Sequence, residues 1–140
     1  MRIQPVVIAV IRRADKYLLT RRVDFDPEEK QYAPYVWNLP GGGIQFGESP
    51  EKAIIREMKE ELGVTVEITG LLPKVFSETR NGWQGIFICY LASLKDDEKK
   101  IALNEEADQY GWFTSDEVAE LKILPLADTI CREADKINSR

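Results

Sequence analysis

The chain has 140 residues, of which 44% are hydrophobic and 31% are charged, and its formal net charge is −5 at pH 7. This length suits a single domain, spanning residues 1–140, with one catalytic site, and the acidic balance disfavours binding of nucleic acid through a basic surface. The chain contains no histidine, which excludes Ser-His-Asp and Cys-His catalysis as well as histidine zinc sites.

The sequence predicts no membrane segment, signal peptide or cysteine metal site. No stretch approaches the roughly 18 consecutive apolar residues of a membrane helix. The apolar run in residues 1–10 is closed by Arg12 and Arg13, and no cleavage site follows it. Cys89 and Cys131 stand far apart and lack metal-ligand spacing. We therefore expect a cytoplasmic protein with no membrane partner.

The N-terminal half is predicted to contain a hairpin, a loop, a short strand and one long helix. Residues 3–12 and 17–22 form the hairpin around the polar turn 14–16. The polar stretch 23–35, with two prolines, is predicted to be a long loop, and residues 36–39 a short strand that Pro40 stops. Ser49 and Pro50 fit the N-cap and first position of a helix. This helix is expected to run to about Leu62 and to end at Gly63.

The C-terminal half is predicted to contain three strands and two helices. Residues 64–76 and 83–94 have strand patterns and are separated by 77–82, in which Asn81-Gly82 suggests a tight turn. After a charged surface loop at 95–100, an aromatic strand is expected at 110–113. A short helix follows at 115–121, with an imperfect capping pattern from Ser115, and a terminal helix at 126–137. Strands on both sides of a central helix predict an α/β domain, with a mixed β-sheet whose faces are covered by helices.

Three glutamates give the central helix an acidic face. Glu57, Glu60 and Glu61 stand at i, i+3 and i+4, so they lie within about 100° of arc. The neighbouring face is apolar and is predicted to join the core, through Ile54, Ile55, Met58 and Leu62. A Glu-rich face is most often simply solvated. However, like charges at these spacings each cost roughly a few tenths of a kcal/mol, and a bound Mg²⁺, which prefers oxygen ligands, would reverse that repulsion.

Gly41, Gly42 and Gly43 precede this helix. A glycine triplet alone is usually just a turn, but glycines also permit positive φ and close backbone approach, which can bring amide groups near phosphate oxygens. Their position directly before the acidic helix favours a phosphate-binding loop.

The spacing of these residues resembles a known family motif. Gly42 is followed after five residues by Glu48, and after seven more by residues 56–64, which read Arg-Glu-Met-Lys-Glu-Glu-Leu-Gly-Val. This order resembles the complete Nudix box with no fixed position missing, and a chance match has a probability on the order of 10⁻⁸ per start point. The lead-in Trp37-Asn38-Leu39-Pro40 and the strand 110–113 are also similar to the family. The resemblance implies the Nudix fold, a mixed β-sheet sandwiched between helices.

The resemblance also implies a metal-dependent hydrolase. Mg²⁺ or Mn²⁺ is expected to bind through Glu57, Glu60 and Glu61, with Glu48 supporting the loop or contributing to a metal site through water. Arg56 is expected to orient the glutamates by a salt bridge. Water would attack a phosphorus of a diphosphate, while the metal neutralises charge and lowers the pKa of that water.

The general base is left open between two parts of the chain. Family members use either a box glutamate, here Glu60 or Glu61, or a glutamate from a later loop. Glu105 and Glu106 are the later candidates, and a solvated acidic pair is the alternative interpretation of both.

Candidates for substrate binding lie outside the box as well. Arg21 and Arg22 end the second strand and could meet phosphate, although such a pair is more often solvated. Trp37 and Trp112 are expected in the core. Candidates for stacking on a base are aromatic residues of loops and turns, namely Phe25, Tyr32, Tyr35 and Trp83.

The leading hypothesis is an enzyme that hydrolyses free nucleoside triphosphates, with a small-molecule nucleotide as partner and no stable nucleic-acid complex. Alternatives within the family are hydrolysis of ADP-ribose or a nucleotide sugar, of dinucleoside polyphosphates, or of capped RNA ends. A catalytically silent nucleotide-binding domain is disfavoured because no box glutamate is missing, and a calcium-binding module would need a different ligand loop. The base, the sugar and the choice between monomer and homodimer stay open.

Overall fold

Strands and helices alternate along the chain in a computed structural model that describes residues 1–23 and 35–137. Apart from its two end residues, the predicted loop 23–35 lies outside the described residues. None of the helices in this part of the chain is long and apolar enough to cross a membrane. The elements are, in order, β1 (Arg2–Arg13), β2 (Lys16–Arg22), β3 (Val36–Asn38), β4 (Gly41–Gly43), α1 (Pro50–Leu62), β5 (Val66–Leu71), β6 (Phe76–Arg80), β7 (Trp83–Leu94), a 3-10 helix (Glu98–Lys100), β8 (Ala107–Phe113), α2 (Ser115–Glu120) and α3 (Ala127–Asp135).

The described strands form a mixed sheet with the central order β3-β2-β1-β7-β5. β1 and β7 run parallel, from the pair Arg2 and Trp83 onwards. β4, β6 and β8 pair antiparallel with β1, β7 and β2. The end of β1 turns into a hairpin with β2, in which Arg12 lies opposite Tyr17. The predicted hairpin and the predicted mixed sheet are both confirmed.

Alternate residues of β1 face two separate apolar layers, because successive side chains of a strand point to opposite faces. Val7 and Ala9 pack with buried residues of α1, whereas Ile8 and Val10 pack with buried residues of α2 and α3. Helices therefore cover both faces of the sheet, and the predicted α/β/α arrangement is confirmed. The prediction for Ile55 is wrong, because it is 37% exposed. The buried residues of α1 are Ala53, Ile54, Met58 and Leu62.

The prediction of one continuous strand at 64–76 is wrong, because the structure has two strands there. β5 ends at Leu71 and β6 begins at Phe76, because β5 pairs with the second half of β7 and β6 pairs with its first half. The step between them contains Pro73, which has no N–H to donate to a strand ladder. β6 therefore takes up most of the segment 77–82, which was predicted to separate two strands. The tight turn at Asn81-Gly82 is confirmed, and its two positive φ angles, 47° and 77°, are typical of a two-residue hairpin.

The ends of α1 lie where its capping residues predict them, whereas the N-cap of α2 lies one residue earlier than predicted. Ser49 caps the first turn of α1 through its side chain, and Gly63 ends that helix at a φ of 68°, as predicted. In α2 the N-cap is Thr114 rather than Ser115, and Thr114 forms a complete capping box with Glu117. α3 is shorter than the predicted 126–137, and the 3-10 helix occupies part of the predicted loop 95–100.

Candidate active site

The three glycines form strand β4 rather than a loop. They pair antiparallel with β1, and none of them uses the positive φ that glycine permits. Close approach does explain why they are glycines. A Cβ on Gly42 would lie 2.5 Å from Cδ of Glu57, and a Cβ on Gly41 would collide with the backbone carbonyl of Val7. A side chain at Gly41 would push β4 away from β1, and a side chain at Gly42 would displace the Glu57 carboxylate.

Arg56 lies at the centre of the acidic face of α1. Its Nε and Nη2 donate to the Glu48 carboxylate, at 2.6 and 3.0 Å, and Nη2 also donates to the Gly43 carbonyl at 3.0 Å. Its Nη1 donates to Glu57 at 2.8 Å and to Glu60 at 3.2 Å. The Arg56 guanidinium, followed by a backbone N–H, lowers the pKa of Glu48 to about 2. Arg56 therefore connects the glycine strand, the turn that contains Glu48 and the glutamates of α1.

The two deepest carboxylates on this face belong to Glu57 and Glu61. Glu61 accepts a hydrogen bond of 3.1 Å from the Gly41 N–H. Burial, and after it the negative charges of Glu57 and Glu106, raise the pKa of Glu61 to about 8. Burial also raises the pKa of Glu57. Glu60 lies at the rim, with a side chain that is 55% exposed. The fold thus holds Glu57 and Glu61 where their negative charge is unfavourable.

The donor set suits a hard divalent cation. Mg²⁺ prefers carboxylate oxygens, and a positive charge beside Glu61 would offset the burial and repulsion that raise its pKa. The space for the Glu57 carboxylate exists because Gly42 has no side chain. In the structure Arg56 pairs with Glu57 and Glu60, and within residues 1–23 and 35–137 no three acidic or cysteine side chains are already gathered in a metal-binding arrangement.

A cavity of about 270 Å³ extends from the glycine strand across the sheet. The end near β4 is lined by the glycines together with Glu61, Glu106 and Arg22. Because β4, β1, β7 and β6 lie in that order, residues of β6 and of the start of β7 line the other end. These are Glu78, Arg80, Trp83 and Phe87, with Gln4 of β1 between the two ends. The segment before α3 and Ile130 of α3 add apolar contacts.

In two pairs of adjacent candidate residues, one member lines the cavity and the other does not. Glu105 and Glu106 are both exposed, but Glu106 lines the cavity and Glu105 does not. Arg22 also lines the cavity, whereas the Arg21 guanidinium forms an ion pair with Asp108, with Nε at 2.9 Å from Oδ1. Arg21 therefore points to the surface rather than to the glycine strand.

The aromatic candidates also differ in their positions. Trp83 lines the cavity, whereas Tyr35 is 56% exposed and lies under the Arg21 guanidinium. Trp37 and Trp112 are partly buried and pack against the core, as predicted. Two other candidates lie outside the described residues, Phe25 and Tyr32.

Asn104 is a site residue that sequence reasoning missed. Its Nδ2 donates to the Glu60 carbonyl at 3.2 Å, and its Oδ1 accepts from the Glu106 N–H at 3.0 Å. Its backbone N–H donates to the Glu61 carbonyl at 3.4 Å. The last carbonyls of a helix have no partner inside that helix, so Asn104 caps the end of α1 and fixes Glu106 beside it. No local pattern around Asn104 predicts a contact with residues 44 positions earlier.

Comparison with known proteins gives consistent matches over most of the chain. The model of the NUDIX domain matches residues 2–132. A nucleoside triphosphatase, NudI, of Escherichia coli is 30% identical over 126 residues, which cover 84% of this chain and 86% of that protein. An RNA pyrophosphohydrolase of Acidiphilium cryptum is 44% identical over 70 residues, which cover 49% of this chain and 40% of that protein. The solved structure of a MutT NUDIX hydrolase from Burkholderia pseudomallei has a TM-score of 0.79 at 24% identity, covers 95% of this chain and 98% of its own, and so has the same fold.

Proposed function

The chain belongs to the Nudix family of hydrolases, which act on anhydride bonds, and on this premise we propose that it cleaves a diphosphate bond in a nucleoside triphosphate or a related nucleoside diphosphate derivative. All parts of the proposed site lie in one domain. The observation that carries the proposal is the placement of Glu57 and Glu61 against the glycine strand, where a cavity begins that also holds Arg22. The E. coli relative that is named a nucleoside triphosphatase supports the choice of substrate class.

The glutamates of α1 are the proposed metal ligands. Glu57, Glu60 and Glu61 would hold Mg²⁺ or Mn²⁺, and Glu48 would keep Arg56 in place or contribute through water. When bound, such a cation neutralises the diphosphate, orients it and lowers the pKa of the attacking water. The Glu48 carboxylate is already engaged by Arg56, which favours the supporting role for it.

The rest of the site would bind and position the substrate. The backbone of Gly41–Gly43 allows close approach of phosphate oxygens because these residues have no side chains, and the Arg22 guanidinium supplies positive charge beside them. The general base is either Glu61 or Glu106, since both line the cavity. Glu105, although adjacent in sequence, does not line the cavity and takes no part in this scheme.

A phosphate-release assay tests the proposal. Nucleoside triphosphates, nucleotide sugars, dinucleoside polyphosphates and RNA with a 5′-triphosphate are supplied with Mg²⁺ or Mn²⁺, and EDTA serves as the control. We expect turnover of at least one nucleoside triphosphate, lost with EDTA and reduced by about a hundredfold or more in Glu61→Gln. Silence across the panel with metal present would overturn the proposal.

A matched pair of variants tests the later glutamates. Glu105→Gln and Glu106→Gln remove the same charge from neighbouring positions, of which only the second lines the cavity. We expect Glu105→Gln to retain turnover. If Glu106→Gln lowers turnover by less than about tenfold, Glu106 is not the general base, and that role passes to Glu61.

A further inference from the structure

The β6 end of the cavity carries a charged pair that the proposed chemistry does not use. Glu78 and Arg80 are two positions apart on one strand, so their side chains share a face, and both line the cavity. Arg80 Nη1 lies 2.9 Å from a carboxylate oxygen of Glu78, and the two side chains are only 10% and 18% exposed, for Arg80 and Glu78 respectively. A charged pair therefore forms part of the wall of the cavity.

Aromatic and amide groups hold this pair in position. The Arg80 guanidinium lies over the Trp83 ring, 4.7 Å from its centroid, and Trp83 Nε1 donates to Gln4 Oε1 at 3.0 Å. The amide group of Gln4 in turn lies against Gly43. Because the face of Trp83 is in contact with Arg80, its role here is to position Arg80. The chain of contacts runs from the glycine strand to the charged pair.

The separation between the two ends matches the length of a nucleotide. β6 lies three strand spacings from β4 in the order β4, β1, β7, β6, which corresponds to roughly 14 Å across the sheet. A substrate whose diphosphate lies beside Gly41–Gly43 would therefore place its base near Glu78 and Arg80.

Stability alone does not account for an ion pair in this wall. A buried salt bridge is on average no more stabilising than well-packed apolar residues of similar size, because both charges lose their hydration. Ligand cavities, by contrast, typically contain a few polar groups that select and orient the ligand. The location of Glu78 and Arg80 in the cavity favours ligand recognition.

We propose that Glu78 and Arg80 recognise the base of the substrate nucleotide and that they favour guanine; this inference rests on the proposed function. A carboxylate only accepts hydrogen bonds and a guanidinium only donates them. Guanine presents two adjacent donor groups, N1–H and the N2 amine, next to the O6 acceptor, which allows three complementary bonds. Adenine, cytosine and uracil each present one donor group on such an edge, so the carboxylate accepts from one group of these bases and from two groups of guanine.

The test compares substrates that differ by single groups. kcat/KM is measured for GTP, ATP, CTP, UTP and ITP, in which ITP is GTP without the N2 amine. Loss of one hydrogen bond to a charged group corresponds to a fold-change of about ten or more, so we expect GTP to exceed ITP by at least that factor. In Glu78→Gln the ratio of GTP to ITP is expected to fall to within about threefold of unity. Equal kcat/KM for GTP and ITP in the wild-type protein would overturn the inference.

A control variant and a binding measurement separate this inference from the proposed function. Thr79→Val changes the same strand on its exposed side and is expected to leave the ratio unchanged, and thermal unfolding confirms that each variant folds. Calorimetric titration with GMP, IMP and AMP measures recognition of the base without hydrolysis. If no triphosphate is cleaved but GMP binds more tightly than IMP, and Glu78→Gln abolishes the difference, base recognition stands and the hydrolytic proposal fails. If all five triphosphates are cleaved with equal kcat/KM, the hydrolytic proposal stands and the inference of base recognition fails.

Discussion

Replacing Glu61 by glutamine is expected to stabilise the metal-free protein while it lowers turnover by about a hundredfold or more. The Glu61 carboxylate accepts a hydrogen bond from the Gly41 N–H at 3.1 Å, and the glutamine carbonyl can accept the same bond. What glutamine lacks is the negative charge, which is disfavoured by burial and is repelled by Glu57 and Glu106. The substitution therefore removes an unfavourable interaction and leaves the local geometry intact.

The magnitude follows from the pKa of Glu61, which rises from 4.5 to about 8. Between these two values the folded protein binds a proton more tightly than the unfolded chain does, so the free energy of unfolding decreases as the pH rises. The accumulated loss is under ~1 kcal/mol at pH 5 and about 3 kcal/mol at pH 7, and it levels off above pH 8. The glutamine of the Glu61→Gln variant does not titrate. The difference in free energy of unfolding between this variant and the wild-type protein is therefore expected to grow as the pH rises from 4.5 to about 8.

Urea unfolding in EDTA at pH 5, 7 and 8 measures this difference. Glu105→Gln serves as the control, because it removes one negative charge from an exposed position. Addition of Mg²⁺ is expected to stabilise the wild-type protein, since a ligand that binds only the folded state raises its stability, and to stabilise Glu61→Gln less. Parallel dependence of stability on pH in the wild-type protein and in Glu61→Gln would refute the reasoning.

Three further predictions concern packing and position. Gly42→Ala is expected to lower kcat by about a hundredfold or more, because its Cβ would lie 2.5 Å from Cδ of Glu57; wild-type turnover in this variant would show that the position of Glu57 is not critical. Asn104→Ala is expected to lower kcat by about tenfold with little change in KM, because Asn104 fixes the backbone of Glu106, and steady-state kinetics measures both constants. Tyr17→Phe is expected to cost about 1–3 kcal/mol of stability, because the Tyr17 hydroxyl donates to a carboxylate of α3 at 2.6 Å. Urea unfolding measures that loss, and unchanged kcat/KM is expected as well.

The parts of the fold that depend on local sequence could be predicted, and the parts that depend on distant pairing could not. Ser49 and Gly63 define α1 by short-range capping, so the helix and its acidic face follow from the sequence. The φ angles of the glycines do not, because they depend on pairing of β4 with β1. The break between β5 and β6 was not predicted either, because it reflects their pairing with different halves of β7.

The same distinction applies to the site. The spacing of the glutamates predicts α1 as the centre of the candidate site. Neighbouring residues such as Glu105 and Glu106 have the same chemistry, and the sequence does not show that only Glu106 lines the cavity. Glu78 and Arg80 have the two-residue spacing of a strand face, yet that spacing acquires meaning only once β6 is known to border the cavity. Which of these residues line the cavity is decided by their positions in the folded sheet and not by their residue types.

The contacts of Arg56 suit both a candidate site without a cation and the proposed cation. Its Nε and Nη2 donate to Glu48 and to the Gly43 carbonyl, and neither contact involves the deepest glutamates. Only Nη1 contacts Glu57 and Glu60. The proposed cation would therefore need to replace the Nη1 contacts alone, while the remaining hydrogen bonds keep the guanidinium between α1 and the glycine strand. The Arg56 side chain thus balances negative charge in the metal-free protein and also supports the backbone on which the substrate phosphate would lie.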